Sequence, residues 1–366
     1  MIPTRLGMYE RFLNTLIVIS ARLGLRSRLL HRMRYGAAAR GLRLGRRSYV
    51  LCRELRAKGP VSIGRNVQIS ADTVELGRHV VLADGVEVHA RRVVIGDNVA
   101  IDHSTRMTGG QLESSAIEIG SGVWIFENCY LNTTAGLSIG DGTGIGGYCM
   151  IWTHGNWQSY VDGYPTKYEA TRLGKNVWLP WHVIVMPGVT IGDNVTTSAG
   201  SVIVKDVPSN SLCVGVPAKV IPTPWPPPLT AEETEARIHE IVARFGEWVG
   251  GVFAWKDLTL KAAGTPRPLV RSEPGLLEFG GADGRQVRIV ARAPSGPGES
   301  PAASADLYFT NDHVDPATPG NWVSCHDRLY RLDARDPIFV RFVSFVTLYG
   351  IRANDVRSGL INHMGV

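Results

Sequence analysis

A chain of 366 residues is long enough for two or three domains and a large core, and its 44% hydrophobic and 20% charged residues are ordinary for a soluble globular protein. The five cysteines are an odd number without a CxxC pair, which argues against a disulfide framework or a zinc site and for a reducing, cytoplasmic compartment. These cysteines are Cys52, Cys129, Cys149, Cys213 and Cys325.

Residues 1–58 are predicted to form a basic, helical N-terminal segment. They hold fourteen Lys or Arg against two acids, a net charge of about +12 within a chain of net charge +6, and such an end suggests an anionic partner. Phe12, Leu16 and Leu23 alternate with arginines as in amphipathic helices, while the apolar run 16–19 is far too short to span a bilayer. Two interpretations stay open: a solvated basic cap, or peripheral attachment to the inner face of the membrane.

Residues 59–221 carry a repeat with a period of six. That period fits neither an α-helix nor a strand, and hexapeptide repeats indicate a parallel β-helix, in which each apolar residue points into a three-sided prism. Thr197 interrupts the apolar series, and a glycine directly after many of its members is expected to permit the tight corners. The register passes through Ile63, Ile69, Leu76, Leu82, Val88, Ile95, Ile101, Met107, Ile119, Ile125, Leu131, Ile139, Ile145, Ile151, Leu173, Leu179, Val185, Ile191 and Ile203.

The register is interrupted between Ile151 and Leu173. About sixteen residues beyond one hexad are predicted to leave the helix there as a loop, roughly residues 157–172, and a loop of that length in a tight solenoid is more often functional than idle. Its aromatic side chains suit stacking on a sugar, covering a pocket or packing on a neighbouring coil. They are Trp157, Tyr160, Tyr164 and Tyr168.

Residues 222–229 read as a stiff proline-rich linker, and residues 230–366 as a C-terminal helix followed by a small α+β domain. Thr230 and Glu233 form a predicted capping box that opens the helix, which is expected to end at about Trp248. A nucleophile or metal site could be sought in one polar cluster of this region, but the cluster lacks partners and is interpreted as structural. It consists of Ser324, Cys325, His326 and Asp327.

The stretch from about Ile119 to Ile221 resembles the hexapeptide-repeat acyltransferases, in particular the xenobiotic, maltose and galactoside acetyltransferase branch. The resemblance is carried by THGN at 153–156, the loop, the run LGKNVWLPWHVIVMPGVTIGDNVTTSAGSVIVKDVP and the stretch GVPAKVI. It implies a mainly β fold with a left-handed parallel β-helix, a homotrimer, and acetyl-CoA lying along the groove between adjacent prisms. It also implies O-acylation of a saccharide or glycosylated acceptor; N-acylation of an amino sugar and a non-catalytic trimeric scaffold remain alternatives.

His154 matches the family's general base, next to the loop. An imidazole there can take a proton from a hydroxyl that attacks a thioester, a contribution of roughly 10²–10⁴-fold. The family's Asn-rich motif corresponds to IFENCYLNTT, in which Phe126 replaces the first Asn and Asn128 stands at the second. Asn128 is therefore the predicted second catalytic residue, Asn132 is the substitute, and a structural Asn at a corner stays open.

The resemblance also implies the contacts to acetyl-CoA. Small residues let the pantetheine arm approach the backbone, and lysines suit the phosphates of the nucleotide end. Trp181 stands where the family has a small residue and could shape the groove wall. The predicted set is Trp181, Ala199, Gly200, Val204, Lys205 and Lys219. No metal is expected, because the spacing of His79, His89, His103 and His182 does not match a zinc-binding relative of the fold, and no nucleic-acid partner is expected.

Overall fold

The structure is a computed structural model. It describes residues 7–25, 27–110 and 112–250, and after them 269–273, 276–280, 286–291, 306–310, 314, 316–317, 321–325, 329–331, 337–349, 351 and 354–355. The chain divides into two compact units, Met1–Pro228 and Leu229–Val366. None of the helices in these ranges combines the length and apolar character needed to cross a bilayer.

The first unit is a parallel β-helix with three faces, as the hexad register predicts. Face A contains Leu42–Leu44, Val61–Ile63, Val80–Leu82, Ala100–Ile101, Trp124–Ile125, Gly144–Ile145, Trp178–Leu179, Thr196–Thr197, Leu212–Gly215 and Ala218–Val220. Face B contains Tyr49–Leu51, Gln68–Ser70, Glu87–His89, Arg106–Thr108, Tyr130–Asn132, Met150–Ile151, Ile184–Val185 and Val202–Ile203. Face C contains Glu54–Ala57, Thr73–Leu76, Arg92–Ile95, Ala116–Ile119, Leu137–Ile139, Thr171–Leu173 and Thr190–Ile191.

Aliphatic side chains of successive coils stack in register inside the prism. On face A, for example, Ile125 pairs with Ile145 and Ile145 with Leu179. The predicted mainly β fold is confirmed. The first coil nevertheless lies earlier than the predicted boundary after residue 58, because Leu42–Leu44, Tyr49–Leu51 and Glu54–Ala57 already form its three strands. Leu44 and Val50 pair in register with the next coil. The arginines between these strands make that hexad pattern hard to recognise in the sequence.

The glycines after the inward-facing residues act differently from the prediction. Left-handed backbone occurs two positions later in the coil, for example at Gly142 (φ 69°) and Asn176 (φ 54°). Gly140 is needed because coils approach closely there: a Cβ on Gly140 would lie 2.5 Å from the carbonyl carbon of Gly174 in the next coil. The corners therefore depend on missing side-chain volume at one position and on left-handed backbone at another.

Two helices close the N-terminal end of the prism. Helix α1 spans Met8–Arg22 and helix α2 spans Arg28–Tyr35, followed by a 3₁₀ turn at Gly36–Ala39. The backbone N–H of Val50 donates to His31 Nε2 (3.0 Å), and the N–H of Cys52 donates to the Tyr35 hydroxyl (3.0 Å). Since an edge strand leaves backbone groups without strand partners, α2 supplies those partners from its side chains.

The second unit packs helices on one sheet. Helix α3 spans Ala231–Gly250, and its capping box is confirmed: the N–H of Glu233 donates to Thr230 Oγ1, and the N–H of Thr230 donates to Glu233 Oε2. The strands are Leu269–Glu273, Leu276–Gly280, Gln286–Val290, Asp306–Thr310, Asn321–Ser324, Leu329–Arg331 and Asn354–Asp355. Helix α4 spans Pro337–Phe345 and is followed by a 3₁₀ turn at Val346–Tyr349.

The polar cluster of this unit is only partly described. Ser324 is fully buried at the end of its strand, and burial raises the pKa of the Cys325 thiol to about 12. A thiol held protonated is a poor nucleophile, which agrees with the structural interpretation. His326 and Asp327 lie outside the described residues.

Candidate functional site

The loop that leaves the β-helix begins as a small hairpin. His154–Gly155 pairs antiparallel with Lys167–Tyr168, a 3₁₀ turn at Tyr160–Asp162 lies between them, and the chain returns to face C at Thr171. His154 is therefore on regular backbone at the base of the loop, on the edge between faces B and C, which we call edge BC. The hairpin fixes the backbone of His154 against Tyr168.

Asn132 lies directly beside His154. The side chain is fully buried, and its Oδ1 accepts three hydrogen bonds: from the backbone N–H of Thr134 (3.1 Å), from Thr153 Oγ1 (2.6 Å) and from His154 Nδ1 (3.0 Å). The Nδ2 group donates to the carbonyl of Thr108 (3.3 Å). Because the Thr134 N–H is a donor, the amide orientation is fixed with oxygen toward His154.

This contact determines the tautomer of the imidazole. An amide oxygen only accepts, so in the neutral ring the proton is on His154 Nδ1 and the lone pair is on Nε2. The ring is also held by aromatic neighbours. It stacks on Tyr168 with centroids 5.8 Å apart and planes at 13°, and it meets the edge of Trp152 at 6.2 Å. The half-buried ring of His154 is thus held in one orientation by Asn132, Tyr168 and Trp152.

Asn128 lies in the same coil as Asn132 but at a different edge of the prism. It occupies the edge between faces A and B, which we call edge AB, and is exposed with φ at 57°. Ser104, Tyr148, His182 and Gly200 hold the same left-handed corner in the neighbouring coils, a conformation that Asn tolerates better than most residues. Within one chain the predicted second catalytic residue is therefore a corner residue, and Asn132, the substitute, is the one in contact with His154.

The residues predicted to bind acetyl-CoA divide between the two edges of face B. Trp181, Ala199 and Gly200 lie on edge AB, where the Gly200 N–H donates to the Trp181 carbonyl (3.0 Å). Val204 and Lys205 lie on edge BC, two coils beyond His154 along the register Ile151, Val185, Ile203. Lys219 is exposed on the last strand of face A. A single prism thus brings Lys205 to the side of His154 and leaves Trp181 on the opposite edge.

An aromatic cluster next to Trp181 was not predicted from the sequence. Trp124 stacks on Phe126 (5.1 Å, 5°), and Phe126 lies 5.2 Å from Trp181 and 6.4 Å from Trp178. Gly144 separates the two coils, and a Cβ on it would lie 2.7 Å from the Trp178 ring. The signal was available in the hexad alignment, because Trp124, Gly144 and Trp178 share one outward register position on face A.

Comparisons with known proteins address the β-helical part of the chain. Over 71 residues the sequence is 42% identical to the galactoside O-acetyltransferase of Escherichia coli, covering 17% of this chain and 35% of that protein. Over 110 residues it is 39% identical to a Staphylococcus aureus protein provisionally named an acetyltransferase, covering 29% of this chain and 54% of that one. The β-helical unit is similar in sequence to these acetyltransferases, which agrees with its resemblance to the hexapeptide-repeat acyltransferases. The chain spans about a third to about half of the length of these curated relatives.

Two further comparisons concern a solved structure and family models. A maltose O-acetyltransferase structure from Clostridium difficile is 28% identical in sequence. The match covers 35% of this chain and 67% of that one, with a TM-score of 0.32. No family model matches the chain. Within the described ranges, no group of three or more His, Cys, Asp or Glu side chains is arranged to hold a metal ion.

Proposed function

We propose that the chain is an acetyl-CoA-dependent O-acetyltransferase that acts on a hydroxyl of a saccharide or glycosylated acceptor, with His154 as general base. One observation carries the proposal: His154 Nδ1 donates to the buried Asn132 Oδ1, so that Nε2 has a free lone pair at the base of the loop. An imidazole in this state can accept a proton directly from an attacking hydroxyl.

The transfer needs only one base and no covalent enzyme intermediate. His154 Nε2 takes the proton of the acceptor hydroxyl as its oxygen forms a bond to the thioester carbonyl carbon. The carbon–sulfur bond then breaks, and the departing CoA thiolate takes the proton back from the imidazolium. Asn132 is a positioning residue in this proposal, because its oxygen stabilises the charged ring and keeps Nε2 pointing away from the prism.

A homotrimer explains why the cofactor residues lie on two edges. If edge AB of one protomer adjoins edge BC of the next, Trp181 and Gly200 come to face His154 and Lys205 across a groove. The aromatic cluster of Trp124, Phe126 and Trp178 then extends one wall of that groove, and an apolar wall with few polar groups suits a small-molecule site.

A saccharide acceptor is supported by the relatives and by the loop. Galactoside O-acetyltransferase is the name of one relative. The loop exposes Trp157 (97%) and Tyr160 (74%) in the single chain, and aromatic rings with a polar handle suit a ligand that presents both apolar and hydroxyl surface.

The test is acetyl transfer from acetyl-CoA to a panel of mono- and oligosaccharides, followed by mass spectrometry. His154→Ala is expected to lower kcat by roughly 10²–10⁴-fold with little change in KM for acetyl-CoA. His239→Ala, at a partly exposed histidine on helix α3 of the second unit, is the control and is expected to keep wild-type rates. Near-wild-type transfer by His154→Ala would overturn the assignment of the base. An amide product would indicate N-acylation, and failure to bind CoA would indicate a scaffold.

A further inference from the structure

Helix α1 has two apolar faces. One face packs on the protein, because Leu13, Ile17 and Ala21 are at most 2% exposed. At about 100° per residue, Met8, Phe12 and Ile19 lie within about 40° of one another on the opposite side. Their exposed fractions are 88%, 59% and 46%. An ordinary surface helix would place polar residues on that side.

The exposed apolar stripe continues beyond the helix. Leu23 and Leu25 follow α1 with 70% and 56% of their surface exposed, and in α2 the corresponding values are 70% for Leu29 and 51% for Met33. So many exposed apolar side chains within 26 residues are unusual on a protein surface and mark a surface that binds something apolar. The residues of this surface, which we call the N-terminal apolar surface, are Met8, Phe12, Ile19, Leu23, Leu25, Leu29 and Met33.

Arginines border the N-terminal apolar surface. Arg11 and Arg22 lie on one flank of the α1 stripe, and Arg28 and Arg32 share the exposed side of α2 with Leu29. The acid of α1, Glu10, is engaged by Arg34 at 3.0 Å. Two copies of this surface would bring their arginines together, so the charge disfavours self-association and favours an anionic partner.

We infer that α1 and α2 bind an anionic membrane surface, with α1 lying in the plane of the headgroups and its apolar stripe among the upper acyl chains. A basic amphipathic helix with aromatic and aliphatic residues on one face is the pattern of an interfacial helix. Arginines close to an anionic surface add an electrostatic attraction that falls off within a Debye length. The N-terminal cap of the β-helix is then also its attachment to lipid.

Point substitutions on the full chain test this inference, because deleting the segment would also remove the α2 side chains that cover the first coil. Wild-type protein is expected to sediment with phosphatidylglycerol–phosphatidylcholine vesicles, less at high ionic strength, and hardly at all with phosphatidylcholine alone. Phe12→Ser with Ile19→Ser is expected to weaken binding about tenfold or more. Val220→Ser is the control, since Val220 is 40% exposed on the last strand of the β-helix, at the other end of the prism, and it should bind like wild type.

The charges are tested separately with Arg22→Gln, Arg28→Gln and Arg32→Gln combined. That variant should lose the preference for anionic vesicles, whereas Arg65→Gln, Arg91→Gln and Arg106→Gln, which remove as many exposed charges from the coils, should keep it. Absence of vesicle binding by the wild type overturns the inference. So does a Phe12→Ser, Ile19→Ser variant that keeps vesicle binding but changes the oligomeric state in sedimentation velocity, because the surface would then join copies of this chain.

Discussion

Thr197 places a hydroxyl inside the apolar prism. It stacks in register with Cys213 of the next coil on face A, in the column that contains Leu179. Its Oγ1 is buried without a hydrogen-bond partner. A buried hydroxyl in that state loses its hydration and gains nothing in return, so this position costs stability.

Thr197→Val is therefore expected to raise the free energy of unfolding by about 1 kcal/mol. Thr143→Val is the matched control, because Thr143 Oγ1 donates to the Gly174 carbonyl (2.9 Å) and accepts from the Val177 N–H (3.2 Å). That substitution should lower the free energy of unfolding by about 1–3 kcal/mol. Urea titrations of both variants measure their free energies of unfolding. A Thr197→Val variant less stable than wild type would contradict the conclusion that the buried Thr197 hydroxyl costs stability.

Asn132 gives a prediction that separates positioning from packing. Asn132→Leu removes the acceptor of His154 Nδ1–H and is expected to lower kcat by about 10–100-fold while KM for acetyl-CoA stays close to wild type. Asn132→Asp keeps an acceptor there and adds a negative charge, which favours the imidazolium. The acidic limb of its pH–rate profile should therefore move to higher pH. A limb that stays in place would contradict the contact between this side chain and the His154 ring.

At the scale of elements, α2 acts as a lid on the first coil. His31 uses both ring nitrogens: Nδ1 donates to the Ser27 carbonyl (2.8 Å) and Nε2 accepts from the Val50 N–H (3.0 Å). Burial lowers the pKa of His31 from its ordinary 6.5. Protonation would therefore both charge a buried ring and break the bond to Val50.

The pH dependence of stability follows from this histidine. Because its pKa is lower in the folded state, the unfolded chain binds more protons below about pH 6.5, and its contribution to stability is complete above that pH and lost as the pH falls toward the folded value. His31→Gln should lower the unfolding midpoint at neutral pH and flatten its slope between about pH 5 and 7. Thermal melts across this range test it, and an unchanged slope would mean that His31 is not the titrating group.

The sequence predicted the coils well and the corners poorly. A six-residue period is a strong signal because a charged residue at an inward position would be buried in the prism. Apolar residues therefore recur at these positions, and the register could be followed from Ile63 to Ile203. The first coil was not predicted, because arginines are frequent in residues 40–56. The domain boundary was therefore placed where the basic composition ends and not where the hexad repeat begins. The pairing of Asn132 with His154 was not predicted for another reason: it depends on which edge of the prism each residue reaches, whereas the resemblance to the family's Asn-rich motif indicated Asn128.

At the scale of the whole molecule, the proposed homotrimer predicts complementation, because its site would be shared between protomers. His154→Ala disables edge BC, and Ala199→Trp is expected to block the pantetheine path on edge AB, so each homo-oligomer should be inactive. Mixed trimers contain grooves formed by one intact edge from each protomer, and an equal mixture should recover about one quarter of the wild-type sites. Co-expression with two affinity tags and a rate assay measures this. No recovery in verified mixed trimers would place the whole site within one protomer.

The number of coils also sets a length. Helix α2 covers the first coil, and His154 belongs to the coil five register steps later, through Ser62, Val81, Ala100, Trp124 and Gly144. With strands about 4.8 Å apart, the base lies about 24 Å along the prism axis from the helical end. For a chain held at a lipid surface by that end, the number of coils sets the distance between the lipid and the base. Removing or adding one coil would shift the reachable acceptor hydroxyl by a single strand spacing and leave both ends chemically unchanged.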